Sequence, residues 1–215
     1  MKVSSIAAAA ALLLLTSAGE ARGPAGSYRF EGQPDEASEI RLRPDGRFDY
    51  FMAAGALDER AQGRWTQAGD RLRLTTEPKP VPAQFGLRSA GRAAGAPLTV
   101  KVVSPGGEGI AGVDLRIGFA DGPPIEDYTQ EDGWTLPSEE KRVPRWIELA
   151  VTMYGLASSR FPVDAAKANA LTFILTPNDL GVLDFSTVAV ELKGDRLLVH
   201  RGGGVLSYRR QATRP

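Results

Sequence analysis

The chain has 215 residues, with 26 Lys and Arg against 26 Asp and Glu, no Cys and a single His. A formal net charge of zero removes the electrostatic basis for a nucleic-acid partner held through its phosphates, and the missing thiols exclude disulfides, cysteine nucleophiles and Cys-based zinc or iron-sulfur sites. With 24 Gly and 15 Pro, the composition points to many turns between short strands.

Met1-Lys2 carries one positive charge, and residues 6–15 form an unbroken apolar run before Thr16-Ser17-Ala18 and Gly19-Glu20-Ala21. This is the pattern of a secretory signal peptide, with small residues placing cleavage after Ala21 and Ala18 as the second choice. The apolar run falls short of the ~20 residues that a spanning helix needs, and no Cys follows it to carry a lipid. The expectation is a signal peptide over 1–21 and a mature protein that is periplasmic or secreted, without stable membrane insertion. Lacking disulfides, that protein must draw its stability from burial.

Residues 27–76 read as an antiparallel meander. Ile40, Leu42, Phe48 and Tyr50 alternate with Arg41, Arg43 and Asp49 around the turn Pro44-Asp45-Gly46-Arg47. A second hairpin runs through Gly63-Arg64-Trp65-Thr66, turns at Ala68-Gly69-Asp70 and returns with Leu72 and Leu74 facing inward. Residues 53–61 fit a helical turn or a long hairpin loop equally well. Glu77-Pro78-Lys79-Pro80-Val81-Pro82 has proline at every second position, which forbids a central strand and marks a semi-rigid connector. The small and polar residues 88–97 read as a surface crossing, with the next packed unit starting at Leu98.

From Leu98, Val100 and Val102 the strands resume, and Val113, Leu115, Ile117 and Phe119 line one face of the next. Residues 146–154 and 171–175 supply two more. Five or more strands in this span predict a sandwich. Gly107-Glu108-Gly109-Ile110-Ala111-Gly112-Val113-Asp114-Leu115, followed by Thr129-Gln130-Glu131-Asp132-Gly133-Trp134, resembles the carboxypeptidase regulatory-like, transthyretin-related family of β-sandwich modules. That family opens a strand with a G-x-P-hydrophobic-x-G turn and follows it with a T-D-x-x-G turn; here Gly109 stands in place of Pro and Gln130 in place of Asp. The resemblance covers residues 97–177 and implies an appended binding or structural module, not a catalyst.

The C-terminal segment repeats the logic of the first. Val188, Val190 and Leu192 lead to a turn, Leu197-Leu198-Val199-His200 carries the chain back, and Gly-Asp-Arg-Leu occurs at both 69–72 and 194–197. With Gly63-Arg64-Trp65 ahead of the first copy, these flanking segments resemble a small lipocalin-like bacterial barrel. The expected organisation is all-β: an immunoglobulin-like (prealbumin-like) sandwich over 97–177, inserted in or appended to a small antiparallel meander or partial barrel built from 22–93 and completed by a C-terminal hairpin over 178–215.

Chemistry-bearing clusters are sparse. His200 is followed by Gly202-Gly203-Gly204 with no nucleophile motif nearby and reads as a half-exposed strand histidine. Asp121, Glu126, Asp127, Glu131 and Asp132 form the densest acidic cluster but lack the spacing of a calcium loop, and Asp121-Gly122 and Asp132-Gly133 read as turns. Glu139-Glu140-Lys141-Arg142 reads as a solvated loop. Tyr128, Trp134 and Trp146 read as core anchors, with an aromatic ligand platform as the alternative. The sequence therefore assigns no catalytic, cofactor-binding or metal-ligating residue. It points to an exported, non-catalytic binding or structural protein whose partner is a protein, glycan or small molecule. The alternatives are a lipocalin-like carrier of a small apolar ligand and a carboxylate-based hydrolase. An apolar pocket near Phe48, Tyr50, Phe51 and Trp65 would favour the carrier; a filled barrel would favour the interaction module.

Overall fold

The computed structural model describes residues 23–212, so the expected signal peptide lies outside the described residues. The chain opens with β1 (Gly26–Phe30), β2 (Glu36–Leu42), β3 (Arg47–Ala54), β4 (Leu57–Ala68) and β5 (Arg71–Thr76), each antiparallel to the next. It then departs through β6 (Gln84–Gly91), β7 (Thr99–Val103), β8 (Asp114–Gly118), β9 (Ile125–Tyr128), β10 (Trp134–Thr135), β11 (Trp146–Val151), β12 (Leu156–Ala157), β13 (Phe161–Pro162) and β14 (Ala170–Thr176). It returns as β15 (Ala189–Lys193), β16 (Arg196–Arg201) and β17 (Gly204–Arg210).

The last three strands complete the first five. The ring runs β1-β17-β16-β15-β5-β4-β3-β2 and closes as an eight-stranded antiparallel barrel. Full closure leaves no open edge on this sheet. Ile40, Leu42, Phe48, Tyr50, Leu72, Leu74, Val190, Leu197, Val199 and Tyr208 all point inward and are buried, because every second residue of a strand faces the same way. The repeated Gly-Asp pairs occupy equivalent hairpin turns with left-handed glycines, φ 64° at Gly69 and 62° at Gly194. In each copy the Asp carbonyl accepts from the next strand of the ring: Asp70 from the Leu192 amide and Asp195 from the Arg210 amide, both at 2.7 Å.

The remaining strands form two facing sheets. One has the order β10-β7-β14-β6, with β14 parallel to β7; the other has β12-β11-β8-β9, with β13 also on β11. Their inner faces bury Val100, Val102, Leu115, Ile117, Ile147, Leu149 and Phe173 in a core separate from that of the barrel. The two connectors between barrel and sandwich are laced together. The Val81 amide donates to Asp179 Oδ2 at 2.8 Å, the Asp179 amide donates to the Val81 carbonyl at 3.1 Å, and Asn178 Nδ2 donates to the Pro82 carbonyl at 2.9 Å.

Several expectations need correction. Residues 53–61 are neither helical nor a long loop: β3 and β4 join through Gly55-Ala56 and pair over eight positions. The inward side of β4 carries Glu59, Ala61 and Gly63, so it shows no apolar alternation. The barrel's first part does not reach 93, and the sandwich does not begin at 97–98. Residues 84–91 form β6, which pairs with β14 at the edge of the sandwich, so they are not a surface crossing. An edge strand needs little apolar patterning, and most of β6 is exposed. The strand at 146–154 ends at Val151, and Thr152–Tyr154 is a 3-10 turn. The C-terminal piece supplies three strands, one more than a hairpin.

Gly63 on β4 lies opposite Thr76 at the end of β5. A Cβ there would sit 2.0 Å from the Thr75 carbonyl oxygen, a backbone atom that cannot move aside. Gly63→Ala is expected to lower unfolding stability by roughly 1–3 kcal/mol, the usual range for overpacking, read from the midpoint of urea denaturation.

Candidate functional site

The barrel interior is the first place to look for a ligand, and side chains fill it. Phe185, from the 3-10 turn Phe185–Thr187 on the returning connector, is 1% exposed and sits edge-on against Phe48 and Tyr50, with ring centroids at 5.3 and 5.0 Å. Thr76 fixes its backbone: the hydroxyl donates to the Leu183 carbonyl at 2.7 Å and accepts from the Phe185 amide at 3.0 Å. At the opposite end Tyr28 is fully buried under the Arg210 guanidinium and donates its hydroxyl to the Pro24 carbonyl at 2.7 Å.

Near the end where the connectors leave, a polar cluster reaches across the barrel. Both Arg201 guanidinium nitrogens engage the two Glu59 oxygens, and Tyr50 donates to Glu59 Oε2 at 3.2 Å. Ser38 spends its one proton on the Phe51 carbonyl at 2.6 Å, so at 3.0 Å Tyr208 must be the donor to the Ser38 oxygen. Burial pushes the Tyr50 phenol well above its ordinary range and raises that of Tyr208, so both stay protonated donors. The hydroxyl protons of Ser38, Tyr50 and Tyr208 are all committed, and both oxygens of the Glu59 carboxylate are taken, so the cluster suits bracing better than proton transfer.

The outer face of the β12-β11-β8-β9 sheet is different in kind. Arg116 on β8 pairs with Glu126 on β9 at 3.0 Å and with Glu148 on β11 at 3.0 Å; Glu148 also meets Arg160, next to β13, at 3.1 Å. The result is a ladder of alternating charge running across the strands, Glu126, Arg116, Glu148, Arg160. Trp146 lies flat on this face, against Gly118 on its own row and with the Arg160 guanidinium 4.0 Å from the ring centroid. Beside the ladder Asp114, Ala150 and Ala157 line a shallow trough of about 390 Å³, and the exposed Tyr128 pairs with Asp114 at its edge.

The residues singled out in the sequence do not converge. His200 lies outward on β16, 40% exposed and 3.6 Å from Glu191. Of the acidic cluster, Glu126 is in the ladder, Asp127 accepts from Trp134 Nε1 at 2.8 Å, and Asp121 offers its carbonyl to Arg142. Among the described residues no group of three His, Asp or Glu stands close enough to share a metal ion. Of the three aromatics only Trp134 is buried; Trp146 and Tyr128 are on the outer face, which corrects their reading as core anchors. Residues 139–142 are more than a solvated loop. Arg142 stacks 3.9 Å from the Phe119 ring centroid, donates to the Pro123 carbonyl at 2.9 Å and pairs with Glu140 at 2.6 Å.

The two halves of the resemblance motif meet. Thr129, fully buried, donates to the Ile110 carbonyl at 2.7 Å and accepts from the Val113 amide at 3.2 Å, tying the first turn to the second. A Cβ at Gly109 would fall 1.7 Å from the Glu131 carbonyl oxygen, so this position has no room for a side chain or a proline ring. Comparison of the chain with protein-family models, with curated proteins and with solved structures finds no match in any of the three.

Two outcomes follow from these contacts. Phe185→Ala is expected to destabilise the fold by about 3–5 kcal/mol in urea titration, because it empties a packed aromatic site. The hydrogen bonds from Arg142 hold the Glu140 carboxyl down at about 2, against an ordinary 4.5. Its contribution to holding the 119–124 and 138–142 loops is therefore present above pH 4.5 and lost as pH falls through about 2. Carboxyl NMR titration should place Glu140 near 2, and Arg142→Ala should raise it by removing the guanidinium bonds while the residue 142 amide still donates to it.

Proposed function

We propose that this is an exported, non-catalytic binding or structural protein in which the barrel is a packed scaffold and the sandwich is the interacting module, of the carboxypeptidase regulatory-like kind. The observation that carries the reading is the occupied barrel interior, where Phe185, Phe48, Tyr50 and Tyr208 take the volume a carried ligand would need. The carboxylate-based hydrolase gains no support from the buried acid, since Arg201 holds both Glu59 oxygens. The sandwich instead offers a broad face with an ordered charge pattern and short side chains beside it, features of a contact surface more than of a reaction cleft.

The test is native mass spectrometry of the mature protein purified from its exported fraction, in parallel with a denatured control. A bare chain or an oligomer of it is the expected result. A small co-purifying mass that is lost on denaturation would overturn the reading in favour of a carrier.

A further inference from the structure

The charge ladder on the outer face of the sandwich has a symmetry property. Its four members alternate in sign across β9, β8, β11 and the β12/β13 edge: Glu126, Arg116, Glu148, Arg160. An alternating row with an even number of members becomes its own complement when reversed. Two such faces brought together by a two-fold axis running along the strands, between β8 and β11, reverse the row and keep its level. Each Glu126 then meets an Arg160 of the other copy, and each Arg116 meets a Glu148. No other orientation of the axis within the face does this, because an axis along the ladder sets like charge on like.

Side-chain size follows the same operation. In the neighbouring row Tyr128 on β9, Asp114 on β8, Ala150 on β11 and Ala157 on β12 lie in register. Reversal lays the exposed Tyr128, 56% accessible, over Ala157 of the other copy, the large side chain over the small one. The ladder ends lie about 7 Å from the axis at ordinary strand spacing. The ~30° offset between packed twisted sheets moves them by about 3.5 Å along the strands, half the ~7 Å between same-face rows and within the reach of the long Arg and Glu side chains.

We infer that this face pairs with the same face of a second copy of the chain, forming a two-fold homodimer specified by the ladder. The contact is isologous, so it closes on itself and does not propagate into fibres. A single face of this kind is small beside a standard interface, which makes the dimer reversible and concentration-dependent. Its exposed charges make it weaken as salt is added. The second copy fills the role of partner in the reading proposed above, on which the dimer rests.

Sedimentation velocity over a concentration series of the purified full chain tests it with two charge reversals at the solvent-exposed ends of the ladder. Arg160→Glu alone sets carboxylate against carboxylate twice across the axis, and Glu126→Arg alone sets guanidinium against guanidinium twice. Each should raise the dimer dissociation constant by about tenfold or more. An equimolar mixture of the two variants makes every facing pair opposite in sign and should recover association as a heterodimer, which also shows that both variants are folded. A monomeric wild type at all concentrations overturns the dimer, as does a dimer indifferent to both reversals, or two variants with native circular dichroism that fail to associate when mixed. A small ligand found in the barrel by native mass spectrometry would overturn the proposed function and leave the ladder result standing, so the two failures are separable.

Discussion

The β5–β15 seam is the joint on which this molecule depends. The chain leaves the barrel at the end of β5 and comes back at the start of β15, and these two strands share only two residue pairs, Leu72 with Val190 and Arg71 with Glu191. They must diverge beyond that point to let the connectors out. Three contacts compensate along the length of the gap. At one end the Asp70 carbonyl takes the Leu192 amide; in the middle Phe185 packs on Phe48 and Tyr50, beside an open cleft of about 880 Å³ between the two strands; at the other end Arg201, on β16, reaches over to Glu59 on β4. Because the Glu59 side chain is almost wholly buried, loss of its partner would leave a charge out of water with nothing to balance it. Phe185 and the Glu59–Arg201 pair therefore brace the seam and occupy the barrel interior at the same time.

The sandwich shows the complementary arrangement, with its interior closed by backbone geometry and its outer face patterned by charge. Thr129 fastens two turns, and Gly109 and Gly133 permit backbone approaches that any side chain would block: a Cβ at Gly133 would lie 2.9 Å from the Val100 carbonyl oxygen, at φ 110°. This rigidity matters for the outer face, because the ladder needs β9, β8 and β11 and the edge residue Arg160 held in fixed register. Surface ion pairs contribute little stability singly. Their value on this face is positional, since a repeating sign pattern can discriminate between ways of docking even where it adds little energy.

Much of this was legible in the sequence where burial imposed alternation. Leu42 and Phe48, Leu72 and Leu74, Val100 and Val102 each showed a period of two beside a turn, and each is buried on the expected side. What escaped was set by tertiary context. β6 is an exposed edge with no apolar stripe to read, and the first half of β4 points a glutamate and an alanine inward, so neither announces itself. Phe185 is a lone aromatic in Asp184-Phe185-Ser186-Thr187, with no periodicity to mark it as a plug; the one local sign was Asp184, whose side chain accepts from the Ser186 amide to start the turn. The ladder was invisible for another reason. Glu126, Arg116, Glu148 and Arg160 are scattered along the sequence and become neighbours only through strand order.

The lacing of the two connectors bears on the order in which the chain can assemble. Closing the barrel requires Leu72 and Val190 to come together across about 120 intervening residues. The first and last strands of the sandwich, β6 and β14, lie side by side, with Gln84 opposite Thr176. Once the sandwich has formed, the flexible path between the barrel halves shrinks to the connectors alone, about 20 residues, which lowers the entropy of closure by about 1.5 kcal/mol. Until then β1 and β5 are unpaired edges of a half-built sheet, exposed to any strand that meets them. The insert thus acts as an internal splint, holding the last three strands near the edges they must cover.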